Sequence, residues 1–111
     1  MFSVNIIAKG TLLYYIAKYP KAKTALLTWY HEFSKVGFHN FNEVKAIYGS
    51  ASIVANNRVI FNIKGNEFRL IVSVNFRKLA AYIIWFGTHK EYDKINVATI
   101  NFDTAILNFK N

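Results

Sequence analysis

The sequence predicts an α+β fold with helices packed on one face of an antiparallel β-sheet. Hydrophobic residues recur with helical spacing as far as Tyr48, and from Ser52 onward they alternate with polar residues at the period of a β-strand. Helices followed by a strand meander are typical of a two-layer α+β domain. The chain has 111 residues, 53% of them hydrophobic, which suits a single core. The sheet face away from the helices is predicted to be open to ligands.

The amino-terminal third is predicted to contain a short strand and two helices. Residues 2–7 are apolar and partly β-branched, as in a strand. A first helix covers residues 12–19 and stops at Pro20, because proline has no backbone N–H with which to continue it. The second helix, over residues 21–37, carries an apolar stripe along one side, which predicts that this side packs on the sheet.

A third helix and four strands are predicted in the rest of the chain. Asn40 followed by Glu43 has the pattern of a capping box, and the helix that it begins ends at Gly49. The strands are separated by residues that favour turns, among them Asn and Gly. The predicted strands cover residues 53–54, 59–64, 67–74 and 80–86.

The charge of the chain indicates a polyanionic partner. The chain contains fourteen Lys and Arg residues and six Asp and Glu residues, which gives a formal net charge of +8. The excess is spread through the predicted fold and is not collected in a tail, so it should form a basic surface. Nucleic acid is the first partner to expect, and an acidic protein the second.

Other classes of protein are disfavoured. The absence of cysteine excludes disulfides, thiolate zinc sites and a cysteine nucleophile. No window approaches the length of a membrane span and the first residues do not resemble a signal peptide, so we expect a cytoplasmic protein with no membrane partner. His31 and His39 lie too far apart, with too few carboxylates nearby, to form a metal site. We therefore expect no metal and no cofactor.

A polar run directly follows the last predicted strand and is the first candidate for a catalytic site. It reads GTHKEYD over residues 87–93. His89 can exchange protons at neutral pH, and Tyr92 would share its side of a helical turn. Cleavage of RNA needs a base, an acid and cations that stabilise the charge on phosphorus. The alternative is that His89 only caps a strand end and that Tyr92 is a packing residue.

Basic residues in the strand half complete the candidate site. Arg69 lies within an apolar strand, where a guanidinium is costly unless it meets a phosphate or a carboxylate. The alternative to phosphate binding is an ion pair with a nearby carboxylate, for which Glu67, Glu91 and Asp93 are the candidates. Further RNA-binding candidates, which could equally be solvated surface residues, are Lys64, Arg77, Lys78, Lys90 and Lys94.

Two segments resemble a known family when they are taken together in this order. VIFNIKGNEFRLI at residues 59–71 and GTHKEYDKI at residues 87–95 are similar to HigB-type toxins of bacterial type II toxin–antitoxin systems. The resemblance covers roughly residues 3–100. It implies a RelE-like toxin domain over residues 1–100 with an extension at residues 101–111.

The resemblance also implies an activity and partners. Such toxins are metal-independent endoribonucleases that cut messenger RNA, typically on the translating ribosome, and a HigA-type helix-turn-helix antitoxin silences them. The family pattern places its arginine at Arg69, its histidine at His89 and its tyrosine at Tyr92, with Lys64 at a less strict turn position. This chain has Ile84 where relatives often carry a basic residue, and its tail continues past Ile100.

Two other functions stay open. A basic protein of this kind could bind RNA or the ribosome and block translation without cutting. A RelE-like fold could also act on a protein target such as gyrase. In the tail, Asp103 could cap a short helix.

Overall fold

A computed structural model describes residues 5–7, 9–35 and 39–102. The predicted end of the second helix at residues 36–37 and the predicted cap at Asp103 lie outside the described residues, as does the start of the first strand. The elements are β1 (Asn5–Ile7), α1 (Lys9–Lys18), α2 (Lys23–Lys35), α3 (Phe41–Ile47), β2 (Ser52–Val54), β3 (Arg58–Ile63), β4 (Phe68–Asn75), β5 (Ala80–Thr88) and α4 (His89–Tyr92).

The helices begin and end where local chemistry requires it. Pro20 stops α1 as predicted, and a 3-10 turn over Pro20–Ala22 delays the start of α2 to Lys23. Asn40 caps α3, because its side-chain oxygen accepts from the backbone N–H of Glu43 at 3.0 Å. The Glu43 carboxylate accepts from the backbone N–H of His39 at 2.8 Å, so the predicted capping box is formed in part.

The sheet has five strands in the order β1-β5-β4-β3-β2. β2 to β5 form the predicted antiparallel meander, and β1 adds an edge strand that runs parallel to β5. The register places Arg69 between Asn62 on β3 and Gly87 on β5. The α+β class with helices on one face of the sheet is therefore confirmed.

The core lies between the helices and one face of the sheet. Alternate residues of β3 and β4 face it, and Phe33 and Leu70 are fully buried. Truncating such an aromatic side chain to Ala costs about 3–5 kcal/mol. The helical residues of this core are Leu12, Tyr15, Ala22, Leu26, Trp29, Phe33 and Val44. In the described residues, no helix is both long and apolar enough to cross a membrane.

The opposite face of the sheet is covered in part, which corrects the expectation that it is open to ligands. Arg58 donates to the carbonyl oxygen of Val97 at 2.8 Å, and the Asn56 amide donates to that of Ala98 at 2.7 Å. Ile60 and Ile71 on this face are buried. The chain after α4 therefore returns across the sheet, and the candidate site lies at the sheet end that carries the β3–β4 turn.

Candidate active site

The β3–β4 turn brings a polar side chain next to Arg69. Lys64 and Gly65 adopt positive φ values of 54° and 63°, and the turn closes with a bond from the Glu67 N–H to the Lys64 carbonyl at 3.2 Å. Glycine adopts this left-handed conformation readily, whereas lysine adopts it at a cost. The turn thus holds Asn66 over the start of β4, within reach of the guanidinium of Arg69.

The guanidinium of Arg69 is largely buried, and within the described ranges it is bonded only to neutral oxygens. The residue is 9% exposed. It donates to the carbonyl oxygens of Phe68 at 3.1 Å and Asn66 at 3.3 Å, and to the Asn66 side-chain oxygen at 3.2 Å. Its central carbon lies 5.9 Å from the centre of the Tyr92 ring. A buried cation held this way is fixed in orientation but keeps its charge uncompensated.

The alternative expectation, an ion pair between Arg69 and a nearby carboxylate, is wrong for the described part of the chain. Glu67 lies 3.4 Å from both Lys21 and Lys64. The carboxylates of the other two candidates, Glu91 and Asp93, are likewise directed to other partners.

The α4 turn that carries the other candidates is held by a complete capping box. The Thr88 hydroxyl accepts from the backbone N–H of Glu91 at 3.1 Å, and the Glu91 carboxylate accepts from the backbone N–H of Thr88 at 2.9 Å. The hydroxyl of Tyr19, at the end of α1, donates to the same carboxylate at 2.8 Å. The helix layer is therefore bonded directly to the turn that follows β5.

Two pKa values reflect this network. The hydrogen bond from the Thr88 backbone, with smaller contributions from the Tyr19 hydroxyl and the charge of Lys18, lowers the pKa of Glu91 below its usual value. Burial, together with the bond to Glu91, raises the pKa of Tyr19 well above its usual value. Glu91 is consequently held ionised and Tyr19 neutral, which are the states that this hydrogen bond requires.

His89 begins the turn and remains accessible. Its backbone N–H donates to the Glu67 carbonyl at 3.0 Å, which connects α4 to the β3–β4 turn. Its Nε2 lies 3.6 Å from an oxygen of Asp93, and its side chain is 49% exposed. The imidazole therefore lies near Asp93 on one side and is half-exposed at the surface.

Tyr92 lies over the sheet face opposite the helices, between Arg69 and Trp85. The ring centres of Tyr92 and Trp85 are 6.4 Å apart. A Cβ atom at Gly87 would lie 2.6 Å from Cη2 of Trp85, so the absence of a side chain at Gly87 lets the indole lie across the strand. Ile84, the position where the family resemblance led us to expect a basic residue, is half-buried at a β-bulge between β4 and β5.

His89 faces a cavity of about 570 Å³ that the sequence did not reveal. The cavity lies between the end of α1, the β3–β4 turn and α4. Asn66 lines it as well, so this one residue contacts Arg69 and borders the cavity of His89. The cavity is lined by Lys18, Tyr19, Pro20, Lys21, Asn66, Glu67, Phe68, Thr88, His89 and Lys90.

The predicted site residues are therefore brought together in part. Arg69 and Tyr92 are in contact on one face, and His89 lies on the same four-residue helix as Tyr92 but opens toward the cavity. Tyr19 and Lys18 were missed because no local pattern connects them to residues some 70 positions away.

The predicted RNA-binding cations are divided between two places. Lys90 lines the cavity, Lys64 is in the adjacent turn, and Lys94 is exposed just after α4. Arg77 and Lys78 are in the β4–β5 turn, at the other end of β4 and roughly 20 Å away at about 3.3 Å per residue. In the described residues, no group of three or more His, Asp or Glu side chains is arranged to hold a metal ion.

Comparison with known proteins agrees with the resemblance seen in the sequence. A model of the HigB toxin family, the RelE-like toxic component of a toxin–antitoxin system, matches residues 22–95. The mRNA interferase toxin HigB of Escherichia coli K12 is 32% identical over 92 residues, which cover 81% of this chain and 88% of that protein. The mRNA interferases HigB of Escherichia coli O157:H7 and Shigella flexneri match with the same identity and coverage. With the fold and family predictions both confirmed, the chain belongs to the HigB family of RelE-like toxins.

Proposed function

We propose that this toxin cleaves messenger RNA at a phosphodiester held by Arg69, with His89 and Tyr92 acting on the protons. The observation that carries this proposal is the guanidinium of Arg69, which is buried and which, in the part of the chain that the structure describes, is bonded only to neutral oxygens. Such a cation favours an anion with several acceptor oxygens, and a phosphate fits the planar fork of arginine. The activity is the one printed in the names of the three relatives.

The chemistry requires no group beyond these side chains and the RNA. A base removes the proton of the ribose 2′-hydroxyl, the 2′-oxygen attacks phosphorus, and the bond to the 5′-oxygen breaks as an acid protonates it. Arg69 stabilises the charge that builds on the phosphorus oxygens. His89, exposed at the cavity rim, and the Tyr92 hydroxyl, beside Arg69, are the groups for proton transfer.

Mapping of transcript ends after induction tests the activity. Wild-type toxin is expected to create new 5′ ends within coding sequences, and His89→Ala and Tyr92→Phe are expected to create few or none. Arg77→Ala, which removes a cation at the other end of the sheet, is the matched control and should cut as wild type does. Growth arrest with unchanged transcripts would contradict the proposal and favour a toxin that blocks translation or acts on gyrase.

The finer identity of the partners is part of the proposal. We infer that cleavage takes place on the translating ribosome in the cytoplasm, and that a HigA-type helix-turn-helix antitoxin silences the toxin by covering the basic site. The family supports an antitoxin as such. Cleavage by purified toxin should require active translation, and the product of the adjacent reading frame should co-purify with the toxin. Equal cleavage of naked RNA would contradict the ribosome requirement.

The proposed domain extends from residue 1 to residue 100, with residues 101–111 as an extension. The family match ends at residue 95, but Arg58 and Asn56 hold residues 97 and 98 on the sheet. A chain ended after residue 100 is expected to fold and to cut, whereas one ended after residue 95 should lose stability because the cover of the sheet is removed. Thermal unfolding of the two truncated chains distinguishes these boundaries.

A further inference from the structure

We propose that the cavity beside His89 binds a nucleotide that flanks the scissile phosphate, and so contributes to the choice of cleavage site. The inference rests on the proposed function, because the position of the scissile phosphate is taken from Arg69. It adds a binding site built by α1 and the 3-10 turn, which include none of the predicted site residues. Its volume of about 570 Å³ is that of a pocket for a small ligand.

One wall of the cavity is aromatic and fixed. The Tyr19 ring meets Phe68 and Phe86 edge-on, with ring centres 5.6 and 5.7 Å apart. Its hydroxyl is bonded to Glu91 at 2.8 Å, which holds the end of the side chain in place. The ammonium of the exposed Lys18 lies 5.6 Å from the centre of this ring. A partly exposed ring next to a lysine is a suitable surface for a nucleotide, because any base can stack on the ring and the cation can meet the phosphate.

The other lining residues favour an anion. Lys18, Lys21 and Lys90 outnumber the one carboxylate among the lining residues, Glu67. Lys21 lies 3.4 Å from Glu67, but neither Lys18 nor Lys90 has a carboxylate within 4.0 Å in the described part of the chain. These two ammonium groups can therefore neutralise the backbone of a bound nucleotide.

The position of the cavity relates it to the reaction. Asn66 accepts from Arg69 and borders the cavity, and His89 lies at its rim. A strand whose phosphate lies at Arg69 therefore continues past His89 toward Tyr19. An acidic peptide would satisfy the lysines, but it would use neither the aromatic wall nor the closeness to His89, so RNA is the occupant that the geometry favours.

The test measures binding of short oligoribonucleotides that contain a mapped cleavage site with a 2′-deoxy sugar, which prevents cutting. The set includes the full oligonucleotide, versions without the nucleotide on the 5′ or the 3′ side, and versions with an abasic residue at these positions. Wild type is expected to lose about tenfold in affinity when one of the two flanking bases is removed. The double variant Lys18→Ala/Lys21→Ala is expected to bind the full oligonucleotide about tenfold more weakly and the shortened one as wild type does.

The double variant Arg77→Ala/Lys78→Ala is the matched control, because it removes the same charge at the other end of the sheet. An equal loss in both double variants would overturn the proposal, since it would reflect net charge alone. Unchanged RNA binding with weaker antitoxin binding would also overturn it and assign the cavity to an acidic peptide. Thermal unfolding checks that each variant folds.

The wild-type results distinguish the two proposals. If wild type cuts no transcript, the proposed function fails. If wild type cuts but its affinity does not depend on either flanking base, only the cavity proposal fails.

Discussion

Basic side chains lie at both ends of β4, but the two ends are built differently. At one end Arg69 is buried, bonded to the β3–β4 turn and placed beside Tyr92. At the other end Arg77 and Lys78 are exposed in a turn. The backbone N–H of Lys78 donates to the side chain of Asn75 at 3.1 Å, and that of Leu79 donates to the carbonyl oxygen of Phe76 at 3.3 Å. When only these three basic residues are counted, the end with Arg77 and Lys78 has a larger formal charge than the end with Arg69.

The comparison shows that the position and the burial of a basic side chain determine how it can act on a phosphate. An exposed Lys or Arg is hydrated and mobile, so it adds long-range attraction but no fixed geometry. A buried guanidinium has already lost its water and its freedom to turn, so a phosphate meets it in the correct orientation. Under the proposed function, the end with Arg69 stabilises the transition state, while the end with Arg77 and Lys78 only attracts a polyanion.

The largest expected difference between the two ends concerns Arg69. Arg69→Ala should lower the cleavage rate by about 10²-fold or more, because it removes a fixed donor to the reacting phosphate. Arg77→Ala should leave the rate within about twofold, as expected for a solvated surface charge. Rates of cleavage of one mapped transcript in a reconstituted translation reaction measure both. Similar decreases in the cleavage rate of the two variants would contradict the proposed difference between the two ends of β4.

Stability should respond to Arg69 in the opposite sense to activity. Arg69→Met keeps much of the side-chain volume and removes a buried charge that has no carboxylate partner among the described residues, so thermal stability should be unchanged or higher. Thermal unfolding of wild type and variant measures this. A large drop in the unfolding temperature would show that the guanidinium is mainly structural, and would remove the reason for assigning it to phosphate.

Tyr92→Phe should lower the rate by about 10²-fold, within the range for loss of one proton-transfer group. The ring remains over Arg69, so the affinity for RNA should change little. Single-turnover rates and binding of a 2′-deoxy oligoribonucleotide separate the two quantities. Tyr82→Phe, which changes an exposed tyrosine nearer the other end of β5, is the control. Weaker binding with an unchanged rate would assign Tyr92 to RNA binding.

Gly87→Ala should have a smaller effect on both stability and activity. The added methyl group would meet the indole of Trp85 at 2.6 Å and the carboxylate of Glu91 at 3.1 Å. Displacing a packed ring in this way costs about 1–3 kcal/mol. Gly49→Ala is the matched control, because nothing lies within 4 Å of a Cβ atom there. Chemical denaturation of both variants measures the difference, and equal stabilities would contradict the close contact.

The smallest expected effect is the pH dependence of the α4 turn. Glu91 has a lowered pKa, so its bonds to Thr88 and Tyr19 stabilise the fold above the usual carboxyl pKa and are lost as the pH falls through the lowered value. Wild type should therefore lose stability on acidification in that window, and Glu91→Gln should lose less. Thermal unfolding from pH 7 to pH 3 compares them; parallel curves would show that the capping box does not depend on the charge of Glu91.

Most helices and strands could be predicted from the sequence, because the residues that determine them lie close together in the chain. Period-two alternation in β3 and β4 and the cap at Asn40 depend on residues close together in the chain. The extension of β5 to Thr88 was not predicted, since Gly87 has weak strand preference and is kept in the strand by pairing with Arg69 of β4. Tertiary pairing decided that boundary.

The candidate residues could be named from the sequence, but their arrangement could not be predicted. Arg69, His89 and Tyr92 were identified from chemistry and resemblance, whereas the pairing choices of Glu67 and Glu91 are set by Lys21 and Tyr19 on distant elements. A single sequence contains no pattern that indicates such long-range contacts. Only the remoteness of Arg77 and Lys78 could have been foreseen, by counting residues along the predicted strand.

The parallel pairing of Asn5–Ile7 with Ala80–Tyr82 has a consequence for synthesis of the toxin. The first strand has no neighbour in the sheet until residues 80–82 of the 111-residue chain exist, and contacts so distant in sequence slow folding. A nascent chain interrupted before β5 therefore lacks both the partner of its first strand and the turn that bears His89. Incomplete translation products should be harmless to the cell that makes them.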